Sequence, residues 1–321
     1  MSVPLDESYR YGLMTRLPTA QTTRAITELL DELEFDSIWV GDHIAFTTPI
    51  LDPFLQLAQV AAYSNRLTVG TGVYLLPMRH PTPVAKQAAS LDHLSGGRFI
   101  FGVGVGGEFP AEYAACGVPR AERGARLSES IAVIRKLWSG EPVSHEGRFF
   151  AFPEVHMQPA PVQPGGPPIW CGGRSDAALR RAGKLADGWI SYVVTPQMYR
   201  DGLAKIAQAA ADAKRDLTEF GTAHLLFTLI DDSYEAALDK ASALLSQRYA
   251  MDFRAAAKKY AALGRPEDVA AKIAEFHDAG VRHLNLDLLG TPAERDVQLR
   301  RFDAEIRPLL GHAPAKQDAA N

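Results

Sequence analysis

The chain has 321 residues, 46% apolar and 22% charged, with a formal net charge of −4. That length suits two ordinary domains or one (β/α)8 barrel, and it is ample for a core. The mild charge and the lack of a Lys/Arg-rich block exclude an electrostatic grip on nucleic acid. No apolar run reaches the roughly 18 residues of a membrane span. Two cysteines, Cys116 and Cys171, exclude a disulfide scaffold and fit a reducing cytoplasm. The opening MSVPLDESYR has acidic residues and no apolar stretch, so no secretory signal is expected.

Strands and helices alternate along the chain. Tyr9 to Thr15 reads as a first strand, followed by a helix with Ile26, Leu29, Leu30 and Leu33 on one face. Ser37 to Gly41 is a second strand, and Asp52-Pro53 opens a second helix as N-cap and first residue. Leu67 to Leu75 is a third strand. A helix from about Pro83 to Leu94 stops at Ser95-Gly96-Gly97, and Arg98 to Val105 is the fourth strand. A long fourth helix runs from about Ala121 to Trp138, with Leu127, Ile131, Ile134 and Trp138 in register.

The period then breaks. Residues 139 to 168 hold seven prolines and no helical pattern, which predicts an inserted loop or short hairpin over the barrel. Regularity returns with a strand at Ile169 to Cys171, a helix at Ser175 to Leu185 and a strand at Trp189 to Val194. A helix at Pro196 to Lys214 and a strand at Ala223 to Ile230 follow. A helical stretch from Ser233 to about Leu263 breaks near Met251. The chain closes with a helix at Pro266 to Ala279, a strand at His283 to Leu288 and a helix at Ala293 to Leu310. Eight strands alternating with helices imply an α/β fold, a closed (β/α)8 TIM barrel. We expect one barrel domain over residues 1–310, an insertion at about 139–168 and a disordered polar tail at 311–321.

In such a barrel the chemistry gathers at the carboxyl ends of the strands. The residues there are Arg16, Asp42-His43, Pro77 to His80, Gly106-Gly107-Glu108, Gly172-Gly173-Arg174-Ser175 and Thr195. Residues 102–107, GVGVGG, match the dinucleotide fingerprint G-x-G-x-x-G. The acid that should close the next strand is missing, because Glu122 and Glu129 fall within a helix. Small residues there would instead let something flat press on the barrel core. The GGRS turn is a stronger signal. Its glycines free the backbone to wrap an anion, and Ser175 can cap a helix whose N-terminus carries partial positive charge. Asp42-His43 suits acid/base work, since imidazole titrates near neutral pH. Glu108 can reach a cofactor ring or a substrate. Arg120, Arg123 and Arg126 read as a solvated helix face from which one side chain can reach the mouth. Cys171 reads as a small buried hydrophobe. The histidines show no metal-ligand spacing, so no metal is expected.

Taken together, these stretches resemble the luciferase-like monooxygenase superfamily, particularly its branch using the deazaflavin coenzyme F420. The matching segments include SIWVGDH (37–43), LTVGTGVYLLPMRHPTPVAKQAASLDHLSGGRF (67–99), FGVGVGGEFPAEYAACGVPRAERGARL (101–127) and PPIWCGGRSDAALRRAGKLADGW (167–189). They run in order over nearly the whole chain. The resemblance implies a flavin-type ring across the strand ends, with Asp42 and His43 beside its reactive C5 face. It implies ring contacts at Thr71, Gly72 and Val73, with a non-prolyl cis peptide at Gly72-Val73, and further contacts at Gly106 and Gly107. It puts the phosphate on Gly172, Gly173, Arg174 and Ser175, makes Glu108 a second candidate proton carrier beside His43, and implies a homodimer.

Two departures bear on the substrate. An extra residue after the fourth strand shifts Glu108 relative to the sugar-phosphate dehydrogenases of the branch. The segment SYVVTPQMY lacks their substrate-phosphate lysines. Phe46, Tyr74, Phe109 and Tyr192 then suggest a small organic carbonyl or enone. The expected function is hydride transfer between F420 and such a substrate. An FMN-dependent monooxygenase is the alternative, and a non-catalytic flavin-binding barrel is the second.

Overall fold

A parallel sheet with helices on one face leaves its other face bare, and rolling the sheet into a ring lets that face fill itself. The computed structural model describes residues 2–5, 7–46 and 49–311. In chain order the strands are β1 (Arg10–Thr15), β2 (Ser37–Val40), β3 (Thr68–Thr71), β4 (Phe99–Val103), β5 (Val143–Glu146) and β6 (Ala151–Val155). They continue with β7 (Ile169–Gly172), β8 (Gly188–Tyr192), β9 (Gly221–Ile230), β10 (Ala262–Gly264) and β11 (His283–Leu288). Strands β1, β2, β3, β4, β7, β8, β9 and β11 pair in parallel in that order, and β11 pairs back onto β1. The ring is closed. This is an eight-stranded TIM barrel.

The helices are α1 (Ala20–Glu32), α2 (Pro53–Tyr63), α3 (Pro81–Ser95), α4 (Pro110–Ala115), α5 (Arg123–Leu137) and α6 (Asp176–Leu185). After them come α7 (Pro196–Asp212), α8 (Tyr234–Tyr249), α9 (Arg254–Tyr260), α10 (Pro266–Asp278) and α11 (Pro292–Arg301). The start signals hold at α2, where Asp52 accepts from the backbone of Phe54 at 3.0 Å and Leu55 at 3.2 Å ahead of Pro53. Among the described residues no helix is long and apolar enough to cross a membrane.

Four expectations need correction. The third strand stops at Thr71 instead of Leu75, because the Leu75 N–H is claimed by Asp42 and the chain tightens into a 3-10 turn at Leu76–Met78. The fourth helix is found as α5, but a short helix that was not expected, α4, precedes it in the loop after β4. The helical stretch after β9 ends in a short strand, β10, laid alongside β9. The insertion contains the antiparallel pair β5–β6, but it runs down the flank of the barrel. Glu129 of α5 accepts from Phe149 and Phe150, the Trp138 indole donates to Ala85 of α3, and Gln163 holds Asp92 and the Phe99 carbonyl. The tail expected to be disordered lies outside the described residues except for Gly311.

Two tryptophans fill the interior. Trp39 and Trp170 stack with centroids 5.6 Å apart, and His283 meets both edge-on. Glycines on facing strands make the room. A Cβ on Gly70 would lie 2.4 Å from the Trp39 ring, and one on Gly221 would lie 2.2 Å from the Trp170 ring.

Candidate active site

Side chains alternate along a strand, so every second residue of each barrel strand faces the axis. On β1 these are Gly12 and Met14, which makes Arg16 the next inward position at the mouth. On β11 the same count from His283 and Asn285 reaches Asp287. On β2 it runs from Ser37 through Trp39 to Gly41 and the loop bearing His43.

His43 is half-buried and held on three sides. Its ring stacks on Phe46 at 4.1 Å and meets the edge of Phe109 at 5.4 Å. Its Nδ1 lies 3.1 Å from Oε2 of Glu112, whose side chain is 3% exposed. Oε1 of the same carboxylate accepts from the backbone N–H of Ile44 at 2.7 Å and of Ala45 at 3.0 Å. One buried acid thus fixes both the loop after β2 and the imidazole on it. A carboxylate can only accept, so Nδ1 carries the hydrogen and Nε2 is the working nitrogen. Sequence reasoning passed over Glu112 in favour of Glu108, which is exposed and makes no hydrogen bond among the described residues. The one local clue is that Glu112 lies in the first turn of a short helix packed beside the mouth.

Asp42 is turned inward. Its carboxylate accepts from Arg79 at 2.5 and 2.8 Å and from Leu75 N–H at 2.8 Å, and no part of the side chain is exposed. It anchors the loop after β3, and its oxygens are fully engaged there. Thr71 is likewise buried and donates to the Gly102 carbonyl at 2.7 Å.

The glycine run after β4 has a steric reason. A Cβ on Gly102 would sit 1.9 Å from the Thr71 carbonyl oxygen, and one on Gly104 would sit 2.3 Å from Val73 Cγ2. A Cβ on Gly172 would lie 2.8 Å from Val73 Cγ1. Val73, which follows a cis Gly72–Val73 peptide as the resemblance implied, therefore rests between the ends of β4 and β7. Gly72, Val73, Gly104 and Gly172 form a low shelf in which the glycines make room for the Val73 side chain. The fingerprint-like spacing serves this shelf, so the dinucleotide interpretation falls away. Gly106 (φ +55°) and Gly107 (φ +114°) turn the following loop, and a Cβ on Gly107 would meet the Nε atoms of Arg123 and Arg120 at 3.2 and 3.3 Å. Two of the three arginines on that helix face therefore close on the loop.

Beyond the shelf comes the GGRS turn. Gly173 (φ +112°), Arg174 and Ser175 are exposed. Ser175 caps α6 by accepting from Ala178 N–H at 3.3 Å, and Arg174 donates across to the Tyr192 carbonyl at 3.2 Å. The turn thus has the helix cap and also keeps a cation beside open backbone. Cys171, just before it, is buried, and burial pushes its thiol up to about 12, so it packs as a hydrophobe.

The adjoining side of the mouth, from β8 round to β11, is polar and aromatic. Arg248 pairs with Asp287 at 2.7 Å, and the Tyr192 hydroxyl donates to Tyr249 at 2.6 Å. Burial raises the phenols of both tyrosines. A separate groove of about 480 Å3, lined by Tyr9, Ala270, Ala274 and Leu310 among others, lies beside the amino end of β1 and holds none of these residues.

The luciferase-like monooxygenase family model matches residues 5–283. An F420-dependent glucose-6-phosphate dehydrogenase of Nakamurella multipartita is 29% identical over 309 residues, 87% of this chain and 89% of that one. The 4-hydroxyprotoasukamycin monooxygenase of Streptomyces nodosus subsp. asukaensis is 34% identical over 223 residues, 67% of this chain and 60% of that one. An F420-dependent secondary alcohol dehydrogenase, solved with an F420–acetone adduct, superposes with a TM-score of 0.83 at 18% identity, over 94% of this chain and 99% of that one. That likeness is one of fold. The chain spans about half the length (48%) of the first curated relatives that it matches, uncharacterized mycobacterial proteins 44% identical over 142 residues.

Proposed function

The chain belongs to the luciferase-like monooxygenase family, and on that premise we propose that it is an oxidoreductase working with a flavin-type cofactor. We assign coenzyme F420 in preference to FMN, and a small organic carbonyl, alcohol or activated alkene as substrate. An F420-dependent dehydrogenase and a monooxygenase among its relatives support the wider class. When bound, the deazaflavin supplies a hydride donor or acceptor at carbon 5.

The residues present fit such a group. On the shelf of Gly72, Val73, Gly104 and Gly172 only Val73 carries a side chain, and that side chain would back a flat ring. The exposed Gly173 backbone, the Arg174 guanidinium and the N-terminus of α6 would hold a phosphate. His43 then manages the proton. Hydride addition to a carbonyl leaves an alkoxide that needs a proton, and oxidation of an alcohol releases one. Nε2 can give or take it, while Glu112 holds the ring and stabilises the imidazolium.

The observation that carries this reading is the contact of His43 with the buried Glu112, because a carboxylate–imidazole pair at a barrel mouth is the arrangement of a positioned acid/base. The 4-hydroxyprotoasukamycin monooxygenase relative keeps oxygen chemistry as the second reading, for which FMN is the cofactor to test. Titrating the apoprotein separately with F420 and FMN, and following cofactor fluorescence, tests the choice. We expect F420 to bind at micromolar levels or tighter and FMN much more weakly. Comparable or tighter FMN binding overturns the assignment. The proposal extends to a homodimer, which sedimentation equilibrium tests.

A further inference from the structure

Arg16 closes the first barrel strand and is the next inward-facing position after Gly12 and Met14. It is half-buried, yet it makes no hydrogen bond or ion pair with any described residue. Its nitrogens are not among the fully enclosed, unpartnered polar atoms, so they keep contact with solvent. Its neighbours do not compensate it. Asp287 is the acid that acts on it, but that carboxylate is bound to Arg248. Arg295, the next cation on this side, pairs with Asp296 and donates to Thr15. Two guanidiniums, Arg16 and Arg248, thus share one carboxylate in a half-buried pocket. Burial and the nearby Arg248 both push against the charged form of Arg16. An unmatched buried cation is costly, and an anion supplied from outside relieves that cost.

The position says whose anion. Around the ring, β1 and β7 stand four strands apart, so Arg16 lies across the mouth from the GGRS turn proposed for the cofactor phosphate. It lies next to the strand that leads to His43, since Thr15 pairs with Val40 in register. Beside it stand aromatic surfaces. Tyr192 meets Phe227 edge-on at 5.7 Å, and Tyr249, which accepts from Tyr192, keeps its own hydroxyl hydrogen for a ligand.

We propose that the substrate carries a carboxylate on an apolar or aromatic body, and that Arg16 binds this carboxylate and so sets the substrate's orientation at His43. The proposal rests on the reading of the mouth as the active site of a flavin-type oxidoreductase, and it names the substrate class for that site.

Benzoate and benzamide, equal in shape and different in charge, are the probes. Each is titrated by calorimetry into the protein, alone and loaded with F420. Benzoate should bind about 10–100-fold more tightly than benzamide, the usual gain from a charge-assisted hydrogen bond. Arg16→Met should erase that preference with a Tm no lower than wild type, since Arg16 has no internal partner to lose and its buried charge is a cost, and Arg16→Lys should keep part of it. Equal binding of the two probes, binding of neither, or a preference that survives Arg16→Met overturns the proposal. So does a loss of F420 affinity in Arg16→Met with the benzoate preference intact, which would give Arg16 to the cofactor. Failure of F420 and FMN to bind, with the preference present in the free protein, would instead overturn the oxidoreductase reading and leave the carboxylate site standing.

Discussion

His43 and Glu112 divide acid/base work in a way that mutation can separate. Nε2 of His43 faces the chemistry, so His43→Ala should lower kcat by at least tenfold, within the ~10²–10⁴ that a positioned proton carrier contributes. Cofactor Kd should shift far less, because the ring does not form the shelf or the phosphate turn. Glu112→Gln keeps one oxygen for the Ile44 and Ala45 amides but places an N–H where Nδ1 now donates. The imidazole must then change tautomer, and we expect kcat to fall roughly tenfold or more with Tm little changed. Unchanged kcat in His43→Ala together with collapse in Glu108→Gln would move the proton role to Glu108.

At the scale of elements, the ends of β3, β4 and β7 act as one surface. Gly102→Ala would drive a Cβ into the Thr71 carbonyl, which is backbone and cannot step aside, so a loss of ~1–3 kcal/mol or more in stability is expected from denaturant melts. Gly104→Ala would strike the Val73 side chain, chiefly its Cγ2 methyl at 2.3 Å. It should fold, tilt Val73 and weaken cofactor binding more than stability. At the GGRS turn Arg174 is exposed and bonds only to the Tyr192 carbonyl among the described residues. Arg174→Ala should therefore leave Tm unchanged and weaken F420 by ~1–3 kcal/mol, the scale of a lost charged hydrogen bond. Affinity equal to wild type would remove the phosphate from this turn.

For the molecule as a whole, two buried histidines couple folding to pH, His283 inside the barrel and His224 between the barrel and helix α10. Burial pushes His224 and His283 down to about 3, against an ordinary value near 6.5. The unfolded chain therefore binds more protons between those values, and stability rises with pH across that window. Above pH 6.5 their contribution is complete. As pH falls below it, each histidine should cost about 1.4 kcal/mol per pH unit, until the folded value is reached. Thermal melts from pH 7 to 4 should show the decline. His224→Gln, which keeps a polar group beside Ser191, should flatten it by about half. A Tm independent of pH over that range would contradict the assignment.

How much of this was readable beforehand follows from the range of the forces involved. The alternation of strands and helices, the Asp52 cap and the apolar face of α1 are local patterns of period two or 3.6, and they were legible as such. So was the place of the mouth, because barrel geometry makes the residue after each strand a candidate, and His43 and Arg174 were named as candidates that way. Glu112 was not, since it meets His43 across 69 positions of chain. Asp42 looked like a cofactor contact until the fold brought Arg79 onto it. The glycines of β4 mimicked a nucleotide motif, and only the neighbouring strand revealed that they make room for Thr71 and Val73. Arg16 was visible as a residue at the first strand's end, but its lack of a partner was not. That depends on β11 closing against β1 and bringing Asp287 beside it already paired with Arg248. Local periodicity is written in neighbouring residues, whereas the pairing of charges and the filling of space are settled only when the ring closes.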